Sequence, residues 1–185
     1  MTDLAAAAAA ELRALRIPSR PGLTERELAR VERKFGFTFA DDHRALLAEL
    51  VPIGQGWVDW KHDDETIRDR LDAPLEGVLF DVANGVFWPE EWGVRPDGDA
   101  EAEQVARGEF ASWPTLVPLY AHRRMPAGAP TGAPVFSVMQ TDVIAYGADL
   151  LDYVRTEFGG QDLSVPASRS SGYGMWSRLA AGEFA

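Results

Sequence analysis

The chain contains no cysteine. That excludes disulfides, zinc–thiolate centres and thiol nucleophiles, and it fits a reducing compartment such as the cytoplasm. No apolar run approaches the ~20 residues that would cross a bilayer. Histidine is scarce, at three in 185 residues. His62-Asp63-Asp64-Glu65 has no second histidine four positions on, and adjacent side chains do not converge on one ion, so no metal is expected. A Walker loop, a dinucleotide fingerprint, H-E-x-x-H and G-x-S-x-G are all missing, which removes the usual starting points for an enzyme. The acid pairs Glu90-Glu91 and Asp63-Asp64 have no glycosidase role without a defined separation. No cofactor is expected. There is no long-period repeat. Ala5–Ala10 has only Asp3 as a charge ahead of it, so it reads as helix rather than as a signal peptide.

Positive charge is the other shortage. Lysine and arginine number 18 against 29 acids, a net charge of −11. The imbalance is concentrated between Asp59 and Glu109, where fifteen acids face five bases. Such a middle argues against a nucleic-acid backbone as partner and favours a basic protein through complementary potentials. The plainer reading is a solubilising surface.

What is present is an ordinary globular composition, 46% apolar and 25% charged, in a length suited to one domain. Alanine propensity predicts a helix from a Thr2 cap to about Arg16. Its apolar face of Leu4, Leu12 and Leu15 is thin, so loose packing is expected. Residues 17–22, with two prolines and a glycine, end it as a linker. Thr24-Glu25-Arg26-Glu27 is a capping box. It opens a helix whose stripe is Leu28, Val31 and Phe35 and whose stop is Gly36. A second helix spans about Ala40 to Leu50, with Asp41 and Asp42 in its first turn.

GLTERELARVERKFGFTFADDHRALLAEL (residues 22–50) resembles the opening helix pair of the SMI1/KNR4 family, the SUKH superfamily. Ala40 stands where that pattern has proline, and His43 where it has tyrosine. Further along, LFDVANGVFWPEEWGVRP, LVPLYAHRRMP and PVFSVMQTDVIAYGADLLDYVRTEF are similar to a bacterial subgroup of the family, with Arg124 in place of a tyrosine and Ala133 in place of an asparagine. The resemblance covers roughly residues 22–181. It implies an α+β fold in which N-terminal helices pack on a small, mainly antiparallel sheet followed by a C-terminal helix. Residues 1–21 would form an N-terminal helix and linker and 22–185 a single domain.

The residues between fill in as follows. Gly56–Trp60 reads as a short aromatic strand or tight loop, and His62–Arg70 as a short surface helix. Val78–Val82 reads as a strand turning at Asn84-Gly85 into a hairpin partner, Val86–Trp88. Pro89–Gly93 turns again, and Asp99–Gly108 is an exposed helix with Ala102, Val105 and Ala106 inward. Leu116–Tyr120, Val135–Met139 and Val143–Tyr146 are strands, the first two joined by a mobile Pro/Gly loop, 126–134. Leu150, Leu151, Val154 and Phe158 mark a helix. Gly159–Gly174 is a polar loop, and Met175–Leu179 a short helix whose Trp176 docks on the body.

Two groups of candidate site residues result. Trp57, Trp60, Trp88 and Trp92, with Asp63, Asp64, Glu90 and Glu91, would form an aromatic, acid-rimmed face for a protein partner, Trp88 and Trp92 being the better candidates for exposure. The alternative use of the tryptophans is core packing. His122, Arg123, Gln140 and Asp142 are cleft candidates, as an anion site or with His122 as acid/base. The plainer reading makes them turn-closing groups, with Arg123 paired to Asp142. The resemblance implies a non-catalytic binding domain, in the bacterial members an immunity protein neutralising a polymorphic toxin such as a nuclease or deaminase. The alternatives are a regulatory or scaffold module, as in the fungal members, and a small-molecule-binding or enzymatic protein using the cleft candidates.

Overall fold

The computed structural model describes residues 3–162 and 170–184. Among these residues the fold is α+β, with seven helices and two antiparallel sheets of two and four strands. No helix among them is long and apolar enough to cross a membrane.

Helix α1 (Leu4–Ala14) is capped by Asp3, whose carboxylate accepts the Ala6 N–H at 3.1 Å. Thr2, the expected cap, lies outside the described residues. The thin apolar face does not mean loose packing. Ala8, Ala9 and Leu12 are fully buried, because small side chains let helix axes approach closely. The expected linker is partly strand: β1 (Ser19–Pro21) pairs antiparallel with β2 (Leu50–Pro52). Between them, α2 (Glu25–Phe35) carries the complete capping box, and Gly36 ends it at φ +72°. Helix α3 (Asp41–Glu49) follows, burying Leu46 and Leu47.

The largest departure from the sequence pattern lies in residues 64–88. No hairpin forms there. A single 20-residue helix, α4 (Asp64–Ala83), absorbs both the short surface helix and the expected strand at 78–82. Asn84-Gly85 ends this helix instead of turning a hairpin. Asn84 Nδ2 donates to the Phe80 carbonyl at 2.8 Å, and Gly85 takes φ +69°, the left-handed conformation that helix termini and tight turns share. Pro74 sits within α4. Proline has no N–H, so the carbonyl four residues back, on Arg70, loses its helical partner. Arg124 Nη1 donates to that carbonyl instead.

A 3-10 turn at Glu90–Trp92 and helix α5 (Asp99–Phe110) lead into the main sheet. Its order is sequential: β3 (Leu116–Tyr120), β4 (Arg123–Pro126), β5 (Val135–Met139) and β6 (Asp142–Gly147). Strand β4 was hidden in the Arg-Arg-Met-Pro segment, which lacks apolar alternation. The 126–134 loop is tied down, contrary to the expectation of mobility. Gly128 N–H donates to the Thr38 carbonyl, Asp41 N–H to that of Ala129, and Gly132 N–H to Asp42 Oδ2 at 2.7 Å. Helix α6 (Leu150–Gly159) follows β6, and α7 (Met175–Ala180) comes last. Part of the expected 159–174 loop lies outside the described residues.

The sheet is covered on both faces. One core joins Ala8, Leu12, Leu46, Met125, Val135, Leu150 and Val154. A second joins Val78, Val82, Ala102, Phe136, Val138, Val143 and Trp176. Trp176 has no exposed surface and donates its Nε1 hydrogen to the Pro114 carbonyl at 2.7 Å. At the β5–β6 turn, Asp81 of α4 accepts the Thr141 N–H at 3.0 Å and its hydroxyl at 2.6 Å. Gly77 permits that approach, since a Cβ there would lie 2.7 Å from Gln140 Cα.

If Arg124 exists to satisfy the carbonyl freed by Pro74, the two residues are coupled. In urea unfolding, Arg124→Met should destabilise the Pro74→Ala protein less than the parent, by about 1 kcal/mol or more. Additive effects of the two substitutions would refute this account.

Candidate functional site

The eight partner-face candidates do not share one surface. Trp60 is 2% exposed and Trp92 8%, so neither is a surface anchor. Trp60 lies edge-on to Phe39, with ring centroids 4.9 Å apart. Trp92 lies edge-on to Phe87 at 5.4 Å and to Trp88 at 5.3 Å. These are core contacts, which aromatic edge-to-face geometry favours. Trp57 and Trp88 are half-buried. Trp57 stacks on Phe158 of α6 at 5.5 Å and contacts Tyr120 at 4.8 Å.

Trp57 and Trp60 line the wall of a cleft of about 420 Å³ whose floor is the β1–β2 ribbon. Asp59 organises the loop that forms this wall. Its Oδ1 accepts the N–H groups of Lys61 and His62 at 3.1 and 3.2 Å and faces His62 Nδ1 at 3.1 Å. Arg20 reaches Asp59 Oδ2 at 3.6 Å. Behind the wall lies a void of about 10 Å³ that His43 borders. His43 is fully buried, its Nδ1 has no hydrogen-bond partner, and burial pushes its pKa down to about 3. It is therefore neutral in the folded protein.

Trp88, Glu90 and Glu91 line a different groove, also of about 420 Å³, closed by Arg178, Glu183 and Phe184. Arg178 is gripped there. Its Nη1 donates to Glu91 and its Nη2 to Glu183 at 2.6 Å, and its guanidinium lies 4.6 Å from the Phe184 ring centre. Arg178 holds the carboxyls of Glu91 and Glu183 below their usual range. Arg178 and Phe184 escaped sequence reasoning because the link to Glu91, 87 residues away, exists only in the fold.

Asp63 caps α4, accepting the Thr66 N–H at 3.1 Å, and Asp64 pairs with Lys34. The acids that stay open are their neighbours. Glu65, Asp69, Asp72 and Glu76 recur at helical spacing along one side of α4, and all four are exposed. None has an ion-pair partner among the described residues. The stripe spans about 16 Å at the helical rise. It does not show in a reading that ends the short helix at Arg70 and makes 78–82 a strand, because Asp72 and Glu76 then lie outside any helix.

The four cleft candidates are not drawn into one pocket. Arg123 does not pair with Asp142. Its Nε donates to Glu157 at 3.0 Å, its Nη1 donates to Ser137 at 2.8 Å, and its guanidinium lies 3.7 Å from the Tyr146 ring centre. Arg123 also donates to His122 Nε2. Burial, then the Arg123 charge, lowers the His122 pKa, which suits that accepting role. Gln140 is exposed at the β5–β6 turn with φ +57°. Asp142, at the start of β6, is exposed and lines a separate groove with Val86, Ile144 and Phe184. Among the described residues no group of three potential ligands is arranged to hold a metal ion.

The chain matches no protein-family model, no curated protein and no solved structure.

Two outcomes test this geometry. Arg123→Ala leaves Glu157 uncompensated in a largely buried setting and should cost roughly 2–4 kcal/mol in chemical denaturation. Asp142→Ala should change stability by less than about 0.5 kcal/mol; a loss for Asp142→Ala as large as that for Arg123→Ala would restore the Arg123–Asp142 pair. The second concerns acid. The folded-state value of His43, about 3, lies below the unfolded value of ~6.5. Its contribution is therefore fully present above about pH 6.5 and lost as pH falls towards 3. Relative to His43→Phe, the parent should lose stability through this window at up to about 1.4 kcal/mol per pH unit. Parallel pH profiles for the two proteins would show that His43 protonates while folded.

Proposed function

We propose that this chain is a SUKH-like immunity protein, a non-catalytic protein-binding domain that acts in the cytoplasm and occludes a basic toxin domain of the nuclease or deaminase kind. The observation that carries the reading is the unpaired acidic stripe on α4, Glu65, Asp69, Asp72 and Glu76, exposed along one helix side. Charges left without internal partners project their field outwards, steering an oppositely charged partner and speeding its encounter. The groove at Trp88, Glu90 and Glu91 supports the same chemistry. Of its acids, Glu91 and Glu183 are taken by Arg178, while Glu90 is exposed and has no ion-pair partner among the described residues, which leaves it open to a partner's cation. In this reading Trp88 supplies aromatic contact area, α4 supplies the steering charge, and the buried Trp60 and Trp92 are scaffold.

For the enzymatic alternative, His122 and Arg123 bond to each other while Gln140 and Asp142 sit at the β5–β6 turn, so these four residues do not line the single cleft it would use.

The test is co-expression with the product of the adjacent gene. That product should be toxic alone and harmless with this chain. A Glu65→Lys, Asp69→Lys, Asp72→Lys, Glu76→Lys variant, checked for folding by circular dichroism, should associate at least about tenfold more slowly at low salt and fail to protect. A harmless neighbour, unrelieved toxicity, or full protection by the variant would overturn the proposal.

A further inference from the structure

The cleft above the β1–β2 ribbon has no part in the partner reading, and its chemistry is different. In a chain of net charge −11 it brings Arg20, Lys61 and His62 together around the single acid Asp59. Val51, Pro52, Ile53 and Trp57 supply its apolar surface. At about 420 Å³ it falls within the size range of small-molecule sites.

Arg20 and Lys61 are not equally available. Lys61 Nζ is held by Glu27 at 2.8 Å. Arg20 makes only the 3.6 Å ionic contact with Asp59, too long for a hydrogen bond. Asp59 is already occupied by the Lys61 and His62 N–H groups and by the His62 ring. Arg20 therefore holds a planar fork of donors at the cleft mouth with no hydrogen-bond acceptor among the described residues, and that fork matches a carboxylate.

An added peptide strand is disfavoured. Ile53 N–H donates to the Pro18 carbonyl. With the Arg20↔Val51 register, this turns the backbone groups of Ser19 and Pro21 to the open edge of β1. Pro21 has no N–H to offer, and proline at an edge blunts strand addition. The occupant that fits has a flat apolar body to lie against Trp57 and the ribbon, and one anionic head.

We infer that this cleft binds a small aromatic carboxylate, with the carboxylate held by Arg20 and the ring held against Trp57 and the β1–β2 ribbon. The inference is independent of any toxin partner.

The probes are 2-naphthoate and its uncharged analogue 2-naphthamide, titrated into the full chain and followed by two-dimensional amide NMR. Naphthoate should shift resonances at 20–23, 51–54 and 57–62, and naphthamide should bind at least about tenfold more weakly. Arg20→Gln, whose native-like spectrum confirms folding, should lower naphthoate affinity by a similar factor and leave naphthamide unchanged. If the variant does not fold, the naphthoate–naphthamide comparison on the native chain still decides. Absence of binding at millimolar concentration, shifts confined to other residues, or equal affinity for the two probes would overturn the inference.

Discussion

Strands β4 and β5 are buried on both faces, and the placement of the helices answers that demand. All four residues of β4 and the first four of β5 lie out of solvent. An antiparallel sheet with both faces apolar must be covered twice. Helices α1, α3 and α6 close one side and α4, α5 and α7 the other. The demand is sharpest at Arg123 and Arg124, neighbours in β4 whose side chains must point to opposite faces. Each is a buried cation in need of an acceptor. Arg123 finds Glu157 and Ser137. Arg124 finds the one carbonyl in α4 that a proline left without its helical partner. Burial, then the charge of Arg70, lowers the Arg124 pKa to about 10, which still leaves it a cation near neutral pH.

Elements with a strong local signal were legible from the sequence. The capping box and Gly36 defined α2, and the apolar strands at 116–120 and 135–139 lie where their patterns place them. The Trp176 helix docks as expected. Elements decided by tertiary context were not legible. Asn84-Gly85 supports a hairpin turn or a helix stop with the same left-handed glycine, and only the packing of Val78 and Val82 against the sheet selects the helix. Strand β4 has no strand-like composition; it forms because β3 and β5 need a partner between them. The alanine-rich α1 looked weakly apolar, yet its small side chains are what allow close packing.

The candidate sites divide along the same line. Individual residues were identifiable as polar or aromatic, but their grouping was not. Among the tryptophans, sequence spacing could not separate the buried Trp60 and Trp92 from the half-buried Trp57 and Trp88. The Gln-Thr-Asp segment behaves as a turn that α4 fastens through Asp81, so its polarity serves the fold. The surface chemistry sits elsewhere, in an acidic helix side and in an Arg20 fork that a linker reading concealed.

Helix α7 completes one of the two layers over the sheet. Its Trp176 packs with Phe136, Val138 and Val143, and Arg178 ties it back to Glu91. In a chain made from its N-terminus onwards, those sheet residues are synthesised well before the helix that shelters them. Until residues 175–180 emerge, α4 and α5 can cover that face only in part, and the interval in which the rest stays open is when the nascent chain is most in need of a chaperone.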